Sequence, residues 1–461
     1  MALPQHLSSF LDGRPALKVT RRSDEGFDAA KQVFVASPDV PLAVIRPQSA
    51  DDVAALVAHL SANSVPLVVR VGGHDLSARS VAQDAVQIDL RDLKSVRVAQ
   101  DKRSARIGGG ILTQDLLDAL AAEGLMAACG NSGSVGWCSW AMNGGYGIMA
   151  GKYGLGCDQI LGATVVLADG RIVDADERLL KAIRGAGTAF GVVVELEIKV
   201  YPLTEIVGGA IACDSTNLGA SLSTYFDNCR SLIEDVKTLP AELYFQPMIM
   251  TPPGAPSAIW IVHFIWAGPP SEEQAKWLEK VVSISPGGQA AVAPATPADY
   301  TRQFTKMGAH HVQGGQSRSV SMRSLVPSPA AAAAIAKQAP LITPGWGAMF
   351  IHMVHGESVS SDRKHPASVF PSREVHLMVE ILGFAFADPG SNPAAAAWCQ
   401  STHEAFEGVD GVMDEAYFPL MQSSILNLEK TFRKEDLDFL RAIKKEYDPT
   451  NVFFNPMPLA K

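Results

Sequence analysis

Arg70-Val71-Gly72-Gly73-His74-Asp75 follows the apolar run Leu67-Val68-Val69, so it falls where a strand should end. Two adjacent glycines let backbone N–H groups close on a phosphate without a Cβ in the way, and the neighbouring imidazole can act as nucleophile or proton carrier. The same residues also suit a tight turn with a capping histidine, and their spacing is neither a G-x-G-x-x-G fingerprint nor a Walker loop. A second glycine cluster, Gly130-Asn-Ser-Gly-Ser-Val-Gly136, precedes Asn143-Gly144-Gly145-Tyr146-Gly147 and Lys152-Tyr-Gly-Leu-Gly156. Such density implies backbone wrapped around something flat or phosphorylated, or else loops between short elements. Proton-transfer candidates lie further on: Tyr417 in Glu415-Ala-Tyr-Phe-Pro419, His263, His376, Glu380 and the pair His310-His311. His352 and His355 would fall on opposite faces of a strand, which argues against a metal pair. The six cysteines form no C-x-x-C pair or zinc spacing, so neither a metal site nor a disulfide framework is expected.

These residues need a scaffold. Ser49-Ala-Asp-Asp52 resembles a capping box ahead of Val53, Leu56, Val57 and Leu60, which share one helical face. Strands are expected over Leu67–Val71, Val86–Leu90 and Ser104–Ile107, then a helix capped by Thr113 and stopped by Gly124. Ala163–Leu167 and Arg171–Val173 flank Ala-Asp-Gly, a hairpin signal, and Phe190–Val200 alternates as a long strand. Beyond Pro202 the strands carry large side chains: Tyr244–Met248, Trp260–Trp266, Met349–Val354 and Val375–Leu382. Helices are expected over Ser271–Val282, Pro329–Gln338 and Lys434–Tyr447. This order predicts an α+β chain whose second half is an antiparallel sheet with helices on one face. Trp260, Val262, Phe264 and Trp266 alternate with Ile261, His263 and Ile265. One set should meet helices and the other line an apolar pocket, suited to an aromatic or polyketide-like molecule more than a sugar.

At 461 residues the chain has room for two or three domains, and its 39 basic against 48 acidic residues leave a net charge of -9. Nucleic acid and anionic membrane both need clustered positive charge and are disfavoured as partners. No basic-then-apolar leader opens the sequence and no long apolar run occurs, so a cytoplasmic protein outside the membrane is expected.

The segment Pro41–Pro202 resembles the FAD-binding domain of the vanillyl-alcohol-oxidase / p-cresol-methylhydroxylase (PCMH-type) superfamily, and within it the berberine-bridge-enzyme-like branch. The matching stretches are Arg70–His74, Val86–Leu90, Ile107–Gly110, Gly144–Gly147, Lys152–Leu155, Val165–Gly170, Ile183–Gly187 and Phe190–Val194. Tyr447–Phe453 resembles the family's terminal signature. The resemblance implies a PCMH-type FAD domain of two α/β subdomains over 1–204 (core 37–204), a substrate domain over 205–405, and a segment over 406–461 returning to the FAD domain. It implies a single covalent bond from the His74 ring nitrogen to the flavin's 8α-methyl carbon. A neutral imidazole is the right nucleophile for that bond, and histidine's ordinary pKa is about 6.5. Arg70 and the backbone from Val71 through Gly72, Gly73 and His74 to Asp75, with the Ser80 hydroxyl, would hold the pyrophosphate. Gly133, Ser134, Gly136, Gly144, Tyr146 and Gly147 would line the ribityl chain and ring edge, and Val193 would meet adenine through its backbone.

Many relatives carry a second link from cysteine, in the frame G-x-C-P-T-V-G. Ser132 holds that position here, which predicts one link; the competing anchor is Cys138. Trp137 falls where relatives often carry small residues near oxygen's approach, and would either block oxygen or point elsewhere. Tyr417 sits where relatives place a catalytic tyrosine, whose pKa a flavin or cation would lower from about 10. His263 and Glu380 complete the candidate catalytic set. The implied activity is an oxidase that removes hydride from a C–H beside oxygen or nitrogen of a small molecule and is reoxidised by molecular oxygen. The alternatives are an oxidative or redox-neutral cyclase and a non-catalytic flavin-binding protein.

Overall fold

The computed structural model describes residues 3–460 apart from 237, 252–254, 309–310, 343–345, 361–365, 386–389 and 391. Its first sheet has the order β1-β2-β4-β3, from β1 (Lys18–Arg21), β2 (Ala43–Arg46), β3 (Leu67–Arg70) and β4 (Val86–Asp89). β2 and β3 both pair parallel with β4, and the helix Ala50–Ala62 provides the crossover. Ser49 caps that helix by accepting from the Asp52 amide, while Asp52 reaches back to the Gln48 amide, one residue earlier than a strict capping box. Val53, Leu56, Val57 and Leu60 are fully buried against β2 and β4, each contributing about 1.5–3 kcal/mol.

The second sheet is antiparallel, in the order β5-β6-β10-β8-β9, from β5 (Val96–Val98), β6 (Ser104–Gly108), β8 (Ile160–Val166), β9 (Ile172–Asp174) and β10 (Val192–Lys199). A short pair, β7 (Leu125–Met126) with β11 (Tyr201–Pro202), stands beside it. Thr113 does not cap its helix: it is the first helical residue, and its hydroxyl donates to the Val135 carbonyl at 3.0 Å. The close approach of the 130–136 loop gives that hydroxyl a carbonyl to donate to, in place of the helix-end N–H groups from which a capping hydroxyl would accept. The helix Lys434–Tyr447 packs Leu437, Leu440 and Ile443 into the core of this sheet. In its last turn, the buried Lys444 ammonium donates to Asp448 (2.7 Å), Ala189 O and Phe453 O, and Asp448 accepts from the Val452 and Phe453 amides. The Tyr447–Phe453 signature is thus a clasp on the N-terminal half.

The third sheet has seven antiparallel strands in the order β15-β12-β14-β13-β17-β18-β16. They are β12 (Ile206–Ala212), β13 (Leu243–Met250), β14 (Ile259–Trp266), β15 (Gln289–Ala295), β16 (Gly315–Met322), β17 (Trp346–Val354) and β18 (His376–Ala385). Trp260, Val262, Phe264 and Trp266 join Phe245, Ile249, Met349, Ile351, Val379 and Ile381 in one apolar core. That core is shared with the helices Leu218–Val236, Glu272–Ile284, Pro329–Gln338 and Asn392–Glu404. The opposite face, carrying Ile261, His263 and Ile265, turns toward the N-terminal half.

Candidate functional site

The loop after β3 is fixed mostly through backbone. A Cβ at Gly72 would fall on the amide of Gly136, and one at Gly136 would fall on Val71, so the two glycine loops meet as bare backbone. Thr113 N donates to Val135 O, Gln114 N to Gly133 O, and Gly133 N to Thr305 Oγ1 at 2.7 Å, which ties the second loop to the helix Pro297–Met307. Asp75 accepts from the Ser77 and Arg79 amides and the Arg79 guanidinium. Arg79 also donates to Ser423 Oγ and to the Met421 carbonyl, and Ser77 Oγ to Met421 O, so C-terminal residues brace this turn. His74 lies with its ring stacked on Phe34, centroids 4.9 Å apart.

Arg70 has a different place from the one its motif suggested. Its guanidinium is buried, donates to the Ala30 carbonyl at 2.6 Å and lies 3.9 Å from Asp89. Desolvation and nearby Arg91, opposed by Asp89, bring its pKa down to about 10. Arg70 is a brace behind the loop. Ser80 is buried, and its Oγ has no hydrogen-bond partner among the described residues. Tyr146 projects from its loop toward the third sheet, while Gly144 gives room to the Phe370 ring and Gly147 to the Cys129 carbonyl. Val193 pairs with Val165 in β10–β8, and its carbonyl lies against Gly109. Ser134 lies 3.1 Å from Ser132, hydroxyl to hydroxyl. A buried, unpartnered Ser80 hydroxyl beside two loops that only glycine lets close fits a bound dinucleotide.

Cys138 and Trp137 point away from that cradle. Both side chains are fully buried in the core of the second sheet; the thiol reaches the Gly108 carbonyl at 3.6 Å and the indole donates to Ala128 O at 2.9 Å. Burial pushes the Cys138 thiol pKa up, against thiolate formation.

The facing surface is built from side chains. Register puts Gln246 opposite His263 and next to His352, with Glu380 diagonal to His352 across β17–β18. His352 Nε2 lies 3.0 Å from Glu380 Oε1, and Nδ1 lies 3.0 Å from the Tyr244 hydroxyl. A carboxylate only accepts, so Nε2–H donates to Glu380, and Nδ1 and the Tyr244 hydroxyl share a hydrogen bond. The Gln246 side-chain nitrogen lies 2.9 Å from the same Nε2. Beside this cluster, Tyr146 donates to His376 Nε2 at 2.8 Å, because His376 Nδ1–H donates to the Glu374 carbonyl. Tyr146 and Tyr417 meet edge to face at 4.8 Å. Ser319 holds Tyr417 in place through its backbone, and Ser317 holds Leu420.

Tyr417 and Glu380 share one neighbourhood: burial, with Glu380 adding to it, raises the Tyr417 pKa, and a hydrogen bond with the Gly145 backbone opposes that rise. His263 stands apart: its Nε2 is engaged by Tyr300, and desolvation brings its pKa to about 3, leaving it neutral. His376 is likewise neutral, at about 4. His311 Nδ1 donates to Val33 O, His355 Nε2 to Leu243 O, and His310 lies outside the described residues. The expected apolar pocket is corrected to a mixed one, since β13, β17 and β18 place Tyr244, Gln246, His352 and Glu380 beside Ile261, Phe350 and Met378. Tyr244, Gln246, His352 and Phe34 escaped sequence reading; only register, or contact with His74, marks them. No group of metal ligands and no helix long and apolar enough to cross a membrane occurs among the described residues.

Residues 41–176 match the family model described as an FAD binding domain. The chain is 29% identical to FAD-linked oxidoreductase aurO of Gibberella zeae, over 97% of this chain and 86% of that one. It is 40% identical to (R)-6-hydroxynicotine oxidase of Paenarthrobacter nicotinovorans, over 39% of this chain and 40% of that one. The fold matches that of BBE-like 1 from Physcomitrella patens with a TM-score of 0.85, covering 99% of both chains at 18% identity.

Proposed function

We propose that the chain is an FAD-linked oxidoreductase of the PCMH-type superfamily, in its berberine-bridge-enzyme-like branch, and an oxidase of a small aromatic or polyketide-like molecule bearing a hydroxyl or amine. The bound FAD would supply the two-electron chemistry, taking a hydride from the substrate carbon and passing the electron pair to molecular oxygen as hydrogen peroxide. The observation that carries this reading is the Glu380 carboxylate, held by the His352 Nε2–H and standing among Tyr146, Tyr417 and Tyr244.

Glu380 takes the proton from the substrate hydroxyl or amine as the adjacent C–H bond is broken. His352 Nε2–H fixes the orientation of that carboxylate, and Tyr244 holds the other ring nitrogen of His352. Tyr417, protonated, donates a hydrogen bond to the substrate heteroatom, and Tyr146 presents an aromatic edge beside it. The mix of apolar and hydrogen-bonding groups suits a flat ring with one or two polar substituents. Val71 to Asp75 and Ser80 hold the pyrophosphate; Gly133, Ser134, Gly136, Gly144, Tyr146 and Gly147 border the ring, with Val193 near adenine. His74 forms a single covalent bond to the flavin. Ser132 at the second linking position, and a Cys138 thiol turned into the core, support one bond over two.

Acid precipitation tests the linkage: the wild-type pellet should stay yellow and a His74→Ala pellet should be colourless. Anaerobic bleaching by a panel of aromatic alcohols, cyclic amines, sugars and polyketides tests the substrate class; reduction by sugars alone overturns it.

A further inference from the structure

Phe34 belongs to no helix or strand, yet its backbone is held from both sides. Its N–H donates to the Gly73 carbonyl at 2.8 Å, and its own carbonyl accepts from Val312 N at 2.8 Å. Ala36 N donates to Val312 O, and His311 Nδ1 to Val33 O at 2.8 Å, so residues 33–36 form a strap between the His74 loop and the third sheet's flank. From this strap the Phe34 ring lies on the His74 imidazole at 4.9 Å with 20° between planes, and its edge meets Phe384 of β18 at 6.1 Å and 80°.

We propose that Phe34 is a positioning residue for the bond between His74 and the flavin, a reading that rests on His74 as the covalent anchor. The lone pair of an imidazole nitrogen lies in the ring plane, so attack requires that plane to be presented edge-on at a set angle. A lone histidine samples a broad range of ring rotations. A stacked ring that is itself tied at both backbone ends removes most of that range before reaction, and orientation of this kind lowers barriers without touching the reacting atoms. In the net step a bond forms between the imidazole nitrogen and the 8α carbon, and one hydrogen leaves each. The two electrons and two protons pass to molecular oxygen, giving hydrogen peroxide.

The test compares Phe34→Leu, which keeps apolar bulk without a ring, with Phe34→Tyr, which keeps the ring. Each full-length protein, produced with flavin withheld, is incubated with FAD in air, and flavin fluorescence on the denatured polypeptide is followed with time, alongside total bound flavin before denaturation. The expected result is a covalent linkage about tenfold slower in Phe34→Leu, with total bound flavin unchanged, and wild-type kinetics in Phe34→Tyr. Equal rates in all three proteins overturn the proposal, and so does loss of total bound flavin in the leucine variant, which would make Phe34 a structural residue only. A wild-type protein that releases all its flavin on denaturation contradicts the His74 anchor itself, a result separate from either.

Discussion

The two walls of the cleft are built on opposite plans. The N-terminal wall is mostly backbone: glycine loops whose closure depends on absent side chains, with His74, Ser80, Ser134 and Tyr146 among the side chains it carries. The wall from the third sheet is side chain: Tyr244, Gln246, His352 and Glu380 come from three strands and act only because register aligns them. A surface made of backbone recognises a constant partner such as a cofactor. One made of side chains can change its substrate by single replacements without disturbing the cradle opposite.

If that division holds, substitutions on the two walls fail differently. Glu380→Gln should lower the rate of anaerobic flavin reduction by about 10²–10⁴-fold with flavin content intact; a colourless variant would break the separation. Gly136→Ala should do the reverse. Overpacking of about 1–3 kcal/mol against Val71 should lower the melting temperature and empty the cofactor site, seen as lost visible absorbance. Tyr244→Phe removes the hydroxyl bonded to His352 Nδ1, a hydrogen bond worth about 1 kcal/mol, and should lower the reduction rate up to about tenfold at unchanged flavin content.

The smallest effect is on acid stability. His263 and His376 are neutral when folded, at about 3 and about 4, and titrate near 6.5 when unfolded. The unfolded chain therefore binds more protons below pH 6.5. The stability these two histidines contribute is complete above that pH and is lost as pH falls toward 4, by up to about 1.4 kcal/mol per unit for each. Urea midpoints at pH 7, 6 and 5 should fall along that slope, and more shallowly in His376→Asn.

The same division decides what the sequence could disclose. The cradle is continuous in the chain, so Val71–Asp75 and Gly130–Gly136 announce themselves as motifs. The opposing wall is assembled from positions tens of residues apart, and no local pattern joins Gln246 to His352 and Glu380. β16 escaped notice because its inward residues are Ser317, Ser319 and Ser321, whose polarity hides the alternation until two of them are seen holding the 417–420 segment. β12 and β15 are masked by glycine and alanine, residues poor in strand signal. Strands with bulky side chains, β13, β14, β17 and β18, were legible because one face of each is core. Arg70 shows the converse: a charged residue inside a cofactor motif can be turned backward, and only Ala30 and Asp89 reveal it.

Ser77 and Arg79 bonded to Met421, with Asn455 bonded to Arg79, tie the turn at Asp75–Ser80 to residues far along the chain, while the clasp of Lys444 and Asp448 holds Ala189. While the ribosome still holds the tail, the turn at Asp75–Ser80 lacks its braces. A chain from which residue 421 has not yet emerged therefore has the glycine loops of the cradle without the contacts that hold this turn.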